Sequence, residues 1–407
     1  MHRKRLISRR QFLIGSAAVL GGSALVWTRR LGVGPAVHGQ DFAPTPAAVL
    51  PYVAFKHFPP MPPFSGKVVQ VHSNGATHWT GEDDYWNHVD QGTVNSMVDR
   101  GLMELTGTVT VADAWRALLP AYQSGQKIAV KVNFNNTREC DAASPVIDAL
   151  IEPVNAVAGG LIQMGVAAED ICVYDAIRAL PDRFVAKGLP GVHFFDGSYL
   201  GVCREQAGFR YEPETRVAFY PPSGVTMPEE HVTNVLMDAT YLINMPIMKG
   251  GHPIAGVTLG FKNHFGTIDN PGGLHDYVDV VNHPPAYRTD YNPLVDLIRS
   301  SLIGDKAVLT IGDGLFAARH YSEPPVPWTT FGNQVPSSLF FARDPVAVDC
   351  VMHDLLAAEP ETGVPEGANN YLRLAAEAGL GVFERGDPWQ EPYGSSYSSI
   401  QYIRVEV

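Results

Sequence analysis

Lys127-Ile128-Ala129-Val130-Lys131-Val132-Asn133 and, further on, Ile171-Cys172-Val173-Tyr174-Asp175 are the stretches that decide the fold. Each is a short apolar run of strand length that finishes on polar groups. Between them Pro145 opens a helical pattern that continues to about Met164. Their apolar residues are continuous rather than alternating, as expected of strands covered on both faces. The same alternation extends outward in both directions. Strands are expected at 67–71, 192–196, 241–244, 307–311, 338–342 and 400–405, and helices near 182–187, 294–303, 369–378 and from Asp344-Pro345 onward. Strands alternating with helices imply an α/β fold: a mostly parallel sheet flanked by helices on both faces. Thirty-nine glycines and thirty-two prolines point to long, shaped loops between the elements.

The N terminus carries a different message. Ser8-Arg9-Arg10-Gln11-Phe12-Leu13-Ile14 leads into a mildly apolar run at 12–27, and no acidic residue precedes Asp41. This resembles the twin-arginine signal of proteins that cross the membrane already folded. The run is short of the ~20 apolar residues that span a bilayer, and Gly15, Gly21 and Gly22 interrupt it. Residues 1–39 are therefore read as a signal peptide or anchor and 40–66 as a Pro/Gly-rich linker. The remainder, 67–407, is read as one large α/β domain, exported to the periplasm or the outer face of the membrane. The twin-arginine export machinery is the expected first partner.

Residues 1–39 hold seven basic and no acidic residues, which leaves 23 basic against 42 acidic, or −19, on the rest. Such a surface repels nucleic acid and anionic lipid, and both are excluded as partners. Cys140, Cys172, Cys203 and Cys350 are widely spaced and form no iron–sulfur or structural zinc motif. An oxidising compartment permits a disulfide, but four cysteines allow three full pairings and spacing does not choose among them.

In open parallel sheets the crevice lies beyond the carboxyl ends of the strands. Here those ends supply Lys131 and Asn133, then Asp175, Asn244 and, in Ile311-Gly312-Asp313-Gly314, Asp313. Only eight lysines follow residue 39, and Lys131, Lys249 and Lys262 lie in apolar or Gly-rich company. A lysine is seldom buried without a partner, so these three are expected to meet carboxylates and a ligand. Asn263 suits a carboxylate or carbonyl because its amide both donates and accepts. His252, His264 and His275 add groups for proton transfer. No nucleophile elbow, phosphate-binding loop or dinucleotide motif is present.

Lys131-Val-Asn133, Asn244-Met-Pro-Ile-Met-Lys249 with His252, Gly260-Phe-Lys262-Asn263-His-Phe-Gly266, His275, Ile311-Gly-Asp313-Gly and Arg343-Asp344-Pro345-Val-Ala-Val-Asp349 occur in that order. Together they resemble the family called domain of unknown function 362, over about residues 68–356. The resemblance implies an α/β domain without an established reaction. Many relatives are fused to ferredoxin-type iron–sulfur modules, and this chain departs there. Within the last element Asp344 is expected to cap a helix with Pro345 at its first position, and Asp349 to be structural.

The leading expectation is an exported enzyme acting on a small anionic metabolite, a carboxylate or phosphate ester. Lys249 and Lys262 would hold the anion, and Asn133 and Asn263 would orient it. Lys131 or His252 would act as base, with Asp313 and Asp175 as counter-charges. The alternatives are a non-catalytic solute-binding protein or accessory to a redox partner, and a metalloprotein using the histidines with Asp313. No local spacing matches a metal-ligand motif, so no metal ligand is assigned and the cofactor stays unknown. The loop bearing Trp79, Glu82-Asp83-Asp84, Tyr85 and Trp86 is expected at the surface.

Overall fold

The computed structural model describes residues 66–197 and 201–407, so the expected signal or anchor at 1–39 and all but the last residue of the expected linker at 40–66 lie outside the described residues. Eleven strands form one sheet: β1 Lys67–His72, β2 Ile128–Lys131, β3 Ile171–Asp175, β4 His193–Asp196, β5 Glu205–Gln206, β6 Tyr241–Asn244, β7 Ile247–His252, β8 Gly256–Thr258, β9 Ala307–Ala318, β10 Ser338–Ala342 and β11 Gln401–Glu406. The strand order is β11-β1-β10-β9-β6-β2-β3-β4-β5. From β9 to β5 every neighbouring pair is parallel. β10 runs antiparallel to both β9 and β1. β7 joins β9 in parallel and pairs antiparallel with β8.

Successive side chains of a strand point to opposite faces, and the core divides accordingly. Ala129, Cys172 and Leu242 pack with helices Pro293–Arg299, Pro345–Ala358 and Asn370–Glu377. Ile128, Val130, Val173 and Ile243 pack on the other face, with helices Gln91–Thr106, Val111–Leu118 and Ile151–Met164. The fold is thus α/β with helices on both faces. Asp344 caps its helix as expected, its Oδ1 accepting from the amides of Val346 and Ala347 at 3.0 and 2.9 Å. Tyr85 and Trp86 depart from expectation. Both are buried, and the Tyr85 hydroxyl donates to the Asp148 carbonyl at 3.0 Å.

Two boundaries also differ, each for a tertiary reason. The helix expected from Pro145 begins at Ile151. Before it, the amides that would start a helical ladder are taken elsewhere: Ala149 N–H donates to the Asn133 carbonyl at 3.0 Å and Asp148 N–H to the Tyr85 hydroxyl at 2.7 Å. β9 does not stop at Ile311 but continues to Ala318. Asp313 there faces Leu339 of β10 and Ile247 of β7, so Gly312-Asp313-Gly314 is mid-strand rather than a loop. Gly312 is required by close approach, since a Cβ would lie 2.4 Å from the Met352 sulfur.

Cys140 and Cys203 form a disulfide that ties the loop after β2 to the loop after β4; Cys172 and Cys350 are free and buried. With the two half-cystines 63 positions apart in the chain, loop-closure entropy assigns the bond up to about 4 kcal/mol. Cys140→Ser/Cys203→Ser is expected to lose a stabilisation of that order in denaturant titration, and reductant is expected to destabilise the wild type but not the double variant.

Candidate functional site

Three strand ends build the floor of the site. Lys131 closes β2 and pairs in register with Asn244, which closes β6; Asp175 closes β3 beside them. Lys131 and Asn244 sit two residues beyond Ala129 and Leu242, hence on the same face of the sheet. Over that face comes the short helix Gly260–Asn263. Its first two amides, of Gly260 and Phe261, donate to the Asp349 carboxylate at 2.8 and 3.1 Å, and the Tyr371 hydroxyl donates to the same group at 3.1 Å. Asp349 is therefore structural: it anchors the turn that delivers Lys262 and Asn263.

Asn263 is the hub. Its Oδ1 accepts from Lys131 Nζ at 3.2 Å and Asn133 Nδ2 at 3.0 Å, and its Nδ2 donates to Asn244 Oδ1 at 2.8 Å. Lys131 also donates to Asp175 at 3.1 Å, and Lys249 donates to Asn133 Oδ1 at 2.8 Å. Lysine has no acceptor, so each of these contacts fixes the orientation of the amide it touches. Gly266 closes the arrangement. A Cβ there would lie 2.6 Å from Lys131 Nζ and 2.7 Å from Asp175 Oδ1.

Beside this network lies a crevice with about 50 Å³ of clear space, lined by Asn133, Asp175, Arg178, His252, Thr258, Lys262 and His275 among others; Asp175 there is engaged by Lys131 and the Phe134 amide. Lys262 is 8% exposed, and its ammonium makes no hydrogen bond or ion pair among the described residues. Its nearest stabiliser is the face of Phe265, 4.0 Å away. Burial, with Arg178 and Lys249 adding repulsion, lowers Lys262 to about 7. Burial likewise lowers Lys249 to about 8, partly offset by Asp148 and Asp175. Lys131 is lowered by burial too, with Asp175 opposing.

The histidines are neutral. Burial first, then neighbouring cations, takes His252 to about 2, His264 to about 3 and His275 to about 4. The Nδ1 of His252 accepts from the amides of Ile254 and Ala255 at 3.2 and 3.1 Å. The proton is thereby assigned to Nε2, making this ring a donor. The rings of His252 and His275 stack at 6.5 Å. A base this weak does little at neutral pH, which tells against the base role expected of His252.

Two expected residues stand apart from the crevice. The Oδ1 of Asp313 accepts the Leu315 amide at 3.0 Å; burial, with Glu152 nearby, raises the group to about 7. Mid-strand, it balances no lysine of the network. His264 is buried against Thr267 at 3.2 Å and does not line the crevice. Two residues were missed. Arg178 lies three places beyond Asp175 in a loop that follows a parallel strand, a position that could have flagged it. Thr258 sits in the β7–β8 hairpin, which the glycines of that stretch concealed; its hydroxyl is buried without a hydrogen-bond partner among the described residues. Also among the described residues, no group of three or more His, Cys, Asp or Glu could hold a metal ion.

Fold and site together define an α/β protein with a polar, lysine-bearing crevice at the carboxyl ends of its parallel strands. The family described as Domain of unknown function (DUF362) matches residues 128–354, and the chain belongs to that family. The match takes in β2 to β10 and the helix bearing Asp349, hence every residue of the network. No curated protein matches the chain.

A lysine whose folded pKa lies below its ordinary value destabilises the fold wherever the unfolded chain binds the extra proton. For Lys262 that penalty is full below pH 7 and fades toward 10.5. Lys262→Met is expected to be more stable than wild type by a few kcal/mol at pH 7, with the gap closing as pH rises to 10, read by paired thermal or denaturant melts.

Proposed function

We propose that this is an exported enzyme whose crevice binds a small anionic metabolite, a carboxylate or phosphate ester. One observation carries the reading: a buried ammonium, Lys262, makes no ion pair among the described residues, the carboxylate that shares its crevice, Asp175, being taken by Lys131, although the chain beyond its first 39 residues carries −19. Arg178 and Lys249 add positive potential, and His252 Nε2–H and the Thr258 hydroxyl are donors awaiting an acceptor. In this reading Lys262 and Arg178 hold the anion, while Asn133 and Asn263 keep the wall rigid. Lys249 is at one remove from the role expected of it, since it orients Asn133 rather than lining the crevice. Lys131, held by Asp175, is a structural cation, and the amine available near neutral pH is that of Lys262.

Calorimetric titration with acetate and inorganic phosphate tests the reading. A bound anion stabilises the ammonium and raises the Lys262 pKa, so binding at pH 8 is expected to take up about one proton per site, visible as a dependence of heat on buffer ionisation. Affinity is expected to fall as pH rises above about 7. Lys262→Met is expected to abolish the proton uptake and weaken binding at least about tenfold, the worth of a charge-assisted hydrogen bond.

Export is proposed on the paired arginines at 9 and 10, and the Cys140–Cys203 bond supports an oxidising destination. Arg9→Lys/Arg10→Lys is expected to leave the protein in the cytoplasm of a host with twin-arginine transport; undiminished export would remove that assignment.

A further inference from the structure

Resting on the reading of the crevice as an anion site, we propose that Lys262 is an amine nucleophile that forms a Schiff base with the carbonyl carbon of a small oxo acid, whose carboxylate is held by Arg178. Among three buried lysines, geometry singles out this one. Lys131 donates to Asp175 and Asn263, and Lys249 to Asn133, so attack by either would dismantle the network. Lys262 makes no hydrogen bond among the described residues and lies on the crevice wall against an aromatic face. With no ion pair among the described residues to keep it charged, since Asp175 is engaged by Lys131, it presents a free amine at a pH where an ordinary lysine does not.

The other groups fit the remaining atoms of such a substrate. Arg178 spends Nε on the Asn135 carbonyl and Nη1 on the Ile177 carbonyl, both at 3.0 Å. Its Nη2 has no acceptor among the described residues and is free for a carboxylate. The Thr258 hydroxyl, on a residue 5% exposed, and the Nε2–H of His252 are donors without acceptors there. They suit the carbonyl oxygen as it gains charge during attack. The clear space of about 50 Å³, several times the roughly 10–15 Å³ that houses one water, favours the smallest oxo acids, glyoxylate and pyruvate.

The step balances without an oxidant or reductant. The Nζ lone pair attacks the carbonyl carbon, and the carbon–oxygen π pair moves onto oxygen. A proton passes from nitrogen to that oxygen, giving a carbinolamine. The nitrogen lone pair then forms C=N as the C–O bond breaks, and the oxygen leaves with a second proton as water. One amine and one carbonyl become one imine and one water.

The test is reductive trapping. The purified full-length protein is incubated with glyoxylate or pyruvate, reduced with borohydride and mapped by peptide mass, while acetate binding is measured in parallel by calorimetry. The expected result is a reduced adduct on the peptide bearing Lys262. Its yield should rise through pH 7 and exceed by about a hundredfold or more that at exposed Lys127 and Lys187, where no crevice holds the oxo acid against the amine. Excess acetate should suppress it, and Lys262→Arg should lack it. Acetate binding without an adduct at Lys262, or adducts spread evenly over surface lysines, would overturn the Schiff base and leave the anion site standing. Failure of both adduct and acetate binding would overturn both. The mapping on wild type needs no variant to fold.

Discussion

The Lys131 ammonium is fully buried, and the architecture around the site depends on how that charge is satisfied. Desolvating an ammonium costs several kcal/mol, and a buried pair that loses one partner forfeits about 3–5 kcal/mol. Asp175 and Asn263 meet this cost from two directions, one from the neighbouring strand and one from a helix 132 residues away in the chain. Because Asn263 must reach Lys131, the turn Gly260–Asn263 must sit over the sheet. Because that turn is short, its free amides need the carboxylate of Asp349 from a third element. One buried charge therefore sets the relative placement of β2, β3, the Gly260–Asn263 turn and the helix Pro345–Ala358.

That rigid frame leaves a second cation in the opposite condition. Lys262 is held close to Lys249 and Arg178 with only an aromatic face for company. The fold tolerates the resulting instability, as it would at a place kept for a ligand or for chemistry. Neutral histidines and an unpartnered hydroxyl surround it. The proposed preference for a small anion rests on these cations being gathered into a small recess of an otherwise acidic chain.

Much of this was legible in the chain. β3, β6 and β10 fall where their apolar runs predict, and Lys131, Asn133, Asp175, Asn244 and Asn263 do converge, because parallel strands carry their terminal residues to one edge. The failures share a cause. Asp313 looked like a strand end because glycines flank it, yet neighbours on both sides extend β9 through it. The helix after β2 begins late because Asn133 and Tyr85 claim its amides. Arg178 and Thr258 carry no pattern of their own. The buried positions of Tyr85 and Trp86 arise from packing against residues remote in sequence, including Phe316.

By itself the sequence determined the alternation of strands and helices, the parallel core, the capped helix at Asp344, the family and the residue types of the polar network. Those are local or additive properties: periodicity, composition and caps act over a few residues. Only the tertiary structure decided which lysine is paired and which is left alone, which two cysteines join, and which nitrogen of His252 bears the proton. The first two depend on close contacts between groups far apart in the chain, and the third on the turn that brings the amides of Ile254 and Ala255 to Nδ1; no periodicity or composition encodes either.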